Sequence, residues 1–260
     1  MSSNCKSNLF FLLFLYFLIA WGCKKNNPPE PPRDPSVQII TDQKDLKDYL
    51  KTHFYNYEDF QEDPQNFDLT IKIDTIMGDN SNKIPLIEQV QSKKVKFRHN
   101  DNQVIDYDYY YLITRKGNGQ SPHIADSAYV AYRGQLLNRS QFDLRQTPIW
   151  LDLTSVIKGF KEGISLLNTG DFKVNEDNTI DFFDYGQGLF FFPSGLGYFS
   201  NPSGGIPEYS PLVFEVSLYT SKQTDHDGDG ILSRDEYDKD GDGIPDDSDQ
   251  DGTPDYLDKT

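Results

Sequence analysis

Apolar and polar residues alternate with a two-residue period over 212–219 (LVFEVSLY). Leu212, Phe214, Val216 and Leu218 fall on one face and Val213, Glu215, Ser217 and Tyr219 on the other, the pattern of a half-buried strand. The stretches 107–115 (YDYYYLITR) and 128–133 (AYVAYR) are rich in aromatic and β-branched residues, which also predicts strands. Between them and 212–219, Val156, Phe160, Ile164 and Leu167 recur at helical spacing, with Thr154 or Ser155 placed to cap the start and Gly170 to stop the end. Strands around one short helix predict an α+β fold. Earlier, 42–54 (DQKDLKDYLKTHF) sets Leu46, Tyr49, Leu50 and His53 or Phe54 near one side of a helix, and 69–76 (LTIKIDTI) alternates like a strand.

At the N-terminus, Lys6 precedes an apolar run from Leu9 to Ala20. That is the length of a signal-peptide core and too short for an ordinary membrane-spanning helix. The run ends in Ala20-Trp21-Gly22-Cys23. A small residue directly before cysteine resembles a bacterial lipoprotein lipobox, although Trp21 and Ala20 depart from its usual residues. The resemblance implies that Cys23 carries lipid as the first mature residue; a signal cut elsewhere, or an uncleaved anchor, is the alternative. Cys5 would leave with the leader, so the mature protein has no disulfide. The proline-rich polar stretch 24–35 suits an extended tether. The expected location is the bacterial outer membrane, on its periplasmic or surface side.

Charge adds a second device. Residues 225–258 hold 14 acidic and 2 basic residues, a balance of −12 within a chain whose net charge is −16. Neither part offers the basic patch that nucleic acid requires. Serine hydrolysis is unsupported, because PSGLG (193–197) lacks the G-x-S-x-G elbow. His53, His99 and His123 lack ligand spacing and read as surface residues.

The acidic residues are regularly spaced. Asp225, Asp227, Asp229, Gly230, Ser233 and Glu236 occupy positions one, three, five, six, nine and twelve of an EF-hand calcium loop. Asp238, Asp240, Asp242, Gly243, Asp246 and Asp249 repeat the series, and a poorer third copy runs from Asp247 through Asp249, Asp251, Gly252 and Asp255 to Asp258. The loops leave no room for flanking helices, so the array resembles thrombospondin type 3 calcium repeats. With so many carboxylates and so little to bury, Ca2+ would serve as its core, stiffening a spacer or docking arm; a disordered acidic tail is the alternative.

Five motifs follow in order: AYRG (131–134), QFD (141–143), VIKGFKEG (156–163), PSGLGY (193–198) and GIPEYSPLVFEV (205–216). The set resembles FKBP-type peptidyl-prolyl cis-trans isomerases. The resemblance implies an antiparallel sheet curled around one short helix, with Tyr132, Phe142, Asp143, Ile157, Phe160, Tyr198 and Phe214 as catalytic-pocket residues and Ile149, Val156 and Ile206 as further substrate contacts. In the family, the position of Ile157 offers a backbone N–H, that of Tyr198 a hydroxyl and that of Asp143 a rim carboxylate. Three residues depart from the pattern: Phe160 stands where tryptophan is usual, Ile149 (with Trp150 beside it) where phenylalanine is usual, and Phe199 where glycine is usual. Residues 175–188, with Phe182, Phe183 and Tyr185, are an insertion expected to form a hairpin or flap beside the pocket.

The expected organisation is a leader (1–22), the lipidated Cys23 with its tether (23–35), an N-terminal α/β extension (36–100), the isomerase domain (101–221) and the calcium tail (222–260). Such an extension resembles that of FKBP-like lipoproteins of the Bacteroidetes type. The expected function is prolyl isomerisation without a catalytic cofactor, on proline-containing client polypeptides, by a monomer anchored to the membrane at Cys23. A non-catalytic proline-binding chaperone module and a calcium-stabilised surface interaction protein stand as alternatives.

Overall fold

In chain order the elements are α1 (Pro35–Thr52), β1 (His53–Tyr55), α2 (Tyr57–Glu62), β2 (Ile73–Thr75), β3 (Gln91–Arg98), β4 (Val104–Arg115), β5 (Ser127–Leu136), β6 (Gln141–Asp152), α3 (Lys158–Ile164), β7 (Asp171–Val174), β8 (Ile180–Phe183), β9 (Gly186–Phe192), β10 (Leu212–Lys222) and α4 (Ser233–Glu236). They come from a computed structural model that describes residues 31–67, 69–99 and 103–259. All lie in the unit Arg33–Thr260. The leader and Cys23 fall outside the described residues.

The fold is α+β. Six antiparallel strands form the main sheet in the order β3-β4-β9-β10-β5-β6. Both faces are covered. On one, Phe214, Val216 and Leu218 of β10 join Phe190 and Phe192 of β9 and Phe160 and Ile164 of α3. On the other, Val213, Leu189 and Phe191 meet Leu46, Tyr49 and Leu50 of α1. Burial on both sides explains why β9 shows an unbroken apolar run rather than alternation. α3 lies close on the sheet because Gly159 and Gly163 have no side chain: a Cβ on Gly159 would stand 2.6 Å from the Phe192 ring.

Several elements differ from the sequence expectation. α1 begins earlier, at an Asp34 cap that accepts the Ser36 N–H, with Pro35 in its first turn. The strand expected over 69–76 shrinks to β2, paired with β1. The cap expected at Thr154 or Ser155 is instead made by Asp152, on a short 3-10 turn over Leu153–Ser155; α3 then starts at Lys158 and ends before Leu167 and Gly170. β3, from the stretch assigned to the N-terminal extension, pairs with β4 along its whole length and is the first strand of the main sheet. The insertion does form a hairpin, β7–β8. However, Phe182 packs on Tyr129 and Tyr219, neither of which lines the cleft described below, and no hairpin residue lines it either.

Candidate active site

A cleft of about 370 Å³ opens where β5, β6 and β10 face the segment leading into α3. Tyr132 reaches it from β5, Phe142, Asp143 and Leu151 from β6, and Phe214 from β10. Ser155, Val156 and Ile157 come from the turn before α3 and Phe160 from its first turn; Tyr198, Ser203, Gly204 and Ile206 come from the loop after β9. The motifs scattered over 131–216 therefore meet in one place. Ile149 does not: a β6 irregularity puts Ile149 opposite Val130 but Arg145 opposite Tyr132, and Leu151 reaches the cleft in its stead.

The walls are rings packed edge to face. Phe160 lies 5.1 Å from Phe214 at 67° and 5.2 Å from Tyr132 at 70°, and Phe142 meets Phe214 at 5.5 Å and 78°, geometries that suit the quadrupoles of aromatic rings. Phe160 is 4% exposed and closes the floor. Gly134 leaves room for Phe142, whose ring a Cβ there would overlap.

Polar groups are fixed at the rim. The Tyr132 hydroxyl donates to Asp143 Oδ2 at 2.6 Å, and Asp143 Oδ1 accepts the Leu144 N–H at 2.8 Å. Burial, then the Asp143 carboxylate, push the Tyr132 phenol above its ordinary range. Two remote carboxylates hold the loops that deliver the other walls. Asp152 Oδ1 accepts the Thr154 N–H at 2.9 Å and so shapes the turn carrying Ser155, Val156 and Ile157. Asp42 of α1, itself buried, accepts the Ser194 N–H at 2.7 Å and its hydroxyl at 2.6 Å, fixing the segment that ends in Tyr198. Burial raises the Asp42 carboxyl above its usual range against those hydrogen bonds. Next to Tyr198, Phe199 has φ 48°, a left-handed backbone that favours glycine; its ring packs at 89° on Tyr209 and 5.2 Å from His99.

The acidic tail folds into three loops with one hydrogen-bond plan. The glycine N–H at position six donates to the first aspartate in each: Gly230 to Asp225, Gly243 to Asp238 and Gly252 to Asp247. The position-two N–H donates to position nine in each: His226 to Ser233, Lys239 to Asp246 and Ser248 to Asp255. The third copy is thus as regular as the others. Carboxylate oxygens converge within 4.8 Å in three sets: Asp225, Asp227 and Asp229; Asp238, Asp240 and Asp246; Asp247, Asp249 and Asp251. Asp249, counted in both loop two and loop three, converges with Asp247 and Asp251 of loop three; Asp242 lies outside the three sets, though it accepts the Ile244 N–H as Asp229 accepts the Ile231 N–H and Asp251 the Thr253 N–H.

Among the described residues, four of the five buried side-chain oxygens without a hydrogen-bond partner are in these loops: Asp227 Oδ2, Glu236 Oε2, Asp238 Oδ1 and Asp247 Oδ1. Glu236 is 6% exposed, and burial, then Asp229 and Asp227, push its carboxyl above the usual range. Orphaned oxygens facing other carboxylates are a donor set for a hard cation such as Ca2+.

Residues 118–219 match the family model for FKBP-type peptidyl-prolyl cis-trans isomerase. The chain is 32% identical over 112 residues to a probable FKBP-type isomerase, FkpA, of Neisseria meningitidis, covering 42% of this chain and 36% of that protein. It is 32% identical over 136 residues to the macrophage infectivity potentiator of Trypanosoma cruzi, covering 49% and 62%. The solved FkpA of Escherichia coli overlaps 85% of this chain and 74% of its own at 20% identity, with a TM-score of 0.37. The chain spans less than half the length of the first curated relatives it matches, 36% and 43%. Over residues 118–219, then, the chain is similar to the FKBP-type peptidyl-prolyl cis-trans isomerases.

Proposed function

We propose that this protein accelerates cis-trans isomerisation of X-Pro bonds in exported polypeptides, holding the proline in the aromatic cleft while its amide twists. The reading rests on the convergence of Tyr132, Phe142, Asp143, Val156, Ile157, Phe160, Tyr198, Ile206 and Phe214 on that cleft. An amide resists rotation by about 18–20 kcal/mol because resonance flattens it, and each ~1.4 kcal/mol removed is tenfold in rate. Phe160 and Phe214 grip the pyrrolidine ring and exclude water, which favours the less conjugated, twisted amide. The Tyr198 hydroxyl and the Ile157 N–H serve as donors to the substrate carbonyl. Asp143, engaged by the Tyr132 hydroxyl, positions that wall rather than moving a proton. No bond is broken, and no cofactor takes part.

The test is a peptide isomerisation assay on the full chain beside Phe214→Ala and Tyr198→Phe. The parent accelerates the reaction; Phe214→Ala, which opens the wall, loses about tenfold or more, as a lost transition-state contact of ~1.4 kcal/mol requires. Binding of the peptide without acceleration would make the domain a non-catalytic proline-binding module.

The same proposal makes the tail a calcium element. Loop one would use Asp225, Asp227, Asp229 and Glu236, loop two Asp238, Asp240 and Asp246, and loop three Asp247, Asp249 and Asp251, the ion supplying charge neutralisation to oxygens that otherwise repel. Calorimetric titration with CaCl2 is the check, and absence of heat would remove it. Export and lipid anchoring at Cys23, at a bacterial outer membrane, complete the reading; loss of radiolabelled palmitate in Cys23→Ala tests it. No helix among the described residues is long and apolar enough to cross a membrane.

A further inference from the structure

The acidic loops touch the cleft's own scaffold. His226, at position two of loop one, sets its Nε2 3.2 Å from Asp152 Oδ2, and Asp152 is the residue that shapes the turn into Ser155, Val156 and Ile157. Tyr237 sits between the last position of loop one and the first of loop two. It is 1% exposed, packs with Ala125 and Tyr256, and its hydroxyl accepts from Lys161 Nζ of α3 at 3.1 Å. Gly243, at position six of loop two, gives its N–H to Asp238 and its carbonyl to Lys158 Nζ of α3 at 3.3 Å. Three contacts from the two loops thus fall on one stretch, 152–161, which carries Val156, Ile157 and Phe160 into the cleft.

We infer that calcium binding in the tail and prolyl-peptide binding in the cleft are coupled, the loaded loops holding 152–161 in the arrangement that receives proline. The inference rests on both parts of the proposed function and replaces the picture of a spacer arm, which would make no such contacts. A cation is needed at the loops because carboxylates within 4.8 Å of one another repel, and because the buried Glu236 aims an unpartnered oxygen toward Asp227 and Asp229. When the cation leaves, the loops relax, and the groups that pin 152–161 move with them: Tyr237 is the chain neighbour of ligands, His226 lies between two of them, and Gly243 donates its N–H to the ligand Asp238. Lys158 then keeps its 3.0 Å ion pair with Glu162 but loses the Gly243 carbonyl, whereas the buried Lys161 loses the Tyr237 hydroxyl, and a buried ammonium tolerates that poorly. The helix must shift to rehydrate Lys161, and Phe160 and Ile157 shift with it. The coupling is reciprocal: whatever factor calcium adds to peptide affinity, peptide adds to calcium affinity.

The experiment uses the full chain, stripped with EGTA and then titrated with CaCl2, and a fluorescein-labelled Leu-Pro peptide read by polarisation. Saturating CaCl2 tightens peptide binding by about 5- to 20-fold, and saturating peptide tightens calcium by the same factor. Amide hydrogen exchange over 153–160 slows on adding CaCl2. His226→Ala with Tyr237→Phe keeps every carboxylate ligand, so calcium still binds while the coupling factor falls toward one; Lys158→Met repeats the test by a third contact should the double variant fail to fold. Calcium and peptide each binding, with neither changing the other's affinity, overturns the inference and leaves both parts of the proposed function standing. No calcium heat defeats the tail reading, and no peptide binding in either state defeats the cleft reading, each taking the inference with it.

Discussion

Replacing Glu215 by glutamine changes how stability depends on pH, by an amount the structure sets. Glu215 lies on β10, on the face away from the cleft, opposite Arg133 of β5, with Oε2 3.2 Å from Arg133 Nη2. Burial pushes its carboxyl from 4.5 up to about 7, with Arg133 pulling it partly back. A folded-state value above the unfolded one means that the native protein keeps a proton the unfolded chain releases between pH 4.5 and 7. Stability from this group is therefore complete below about pH 4.5 and lost as pH rises through 7. At 1.36 kcal/mol per unit, the loss by pH 8 is about 3 kcal/mol, of which about 2 to 3 falls between pH 5 and pH 8. Glu215→Gln carries no ionisable group and keeps the volume, and Arg133, half-buried, can turn to water. Urea denaturation at pH 5, 6, 7 and 8 in saturating CaCl2 should show parent and variant within ~1 kcal/mol at pH 5, with the variant gaining about 2 to 3 kcal/mol by pH 8. Parallel stability curves across that range would refute the buried, proton-retaining carboxyl.

Three further outcomes follow from packing and hydrogen bonding. Asp42→Ala strips the buried Ser194 N–H and hydroxyl of their acceptor and should cost about 2–4 kcal/mol by urea denaturation, while raising KM through the freed Tyr198 segment. Gly159→Ala forces a Cβ to 2.6 Å from Phe192 and should cost about 1–3 kcal/mol by overpacking, read as a lowered Tm in calorimetry. Tyr132→Phe removes the 2.6 Å bond to Asp143; the fold should stay within about 0.5–1.5 kcal/mol of the parent, with kcat/KM down several-fold in the isomerisation assay.

β4, β5 and β10 lie where the sequence put them, the first two from their aromatic and β-branched residues and β10 from the alternation that Glu215 and Ser217 preserve. β9 was not, since burial on both faces erases the period. The start of α1 hid in a proline-rich stretch read as a tether, although Asp34-Pro35 is a cap followed by a first-turn proline. Of the ten residues the motifs pointed to, nine border one cleft and Ile149 does not, while Leu151, Ser155, Ser203 and Gly204 also line it and carry no signal in the sequence. Asp42 and Ser194 are 152 residues apart and carry no local signal of their pairing. His226 could have been noticed, because it sits inside an acidic loop at position two, outside the EF-hand ligand positions. The histidines read as surface residues also have partners in the fold: His53 stacks on Tyr49 at 3.9 Å, and His99 meets the Tyr107 hydroxyl at 2.6 Å.

The central claim is that the cleft lowers the rotational barrier of an X-Pro bond, and exchange NMR tests it most directly. A Leu-Pro peptide shows separate cis and trans signals, because the uncatalysed exchange takes about tens to hundreds of seconds. With a substoichiometric amount of the full chain in CaCl2, exchange cross-peaks between the two forms should appear within about a second and vanish with Phe214→Ala. Cis and trans signals that stay uncoupled at saturating peptide would contradict the account.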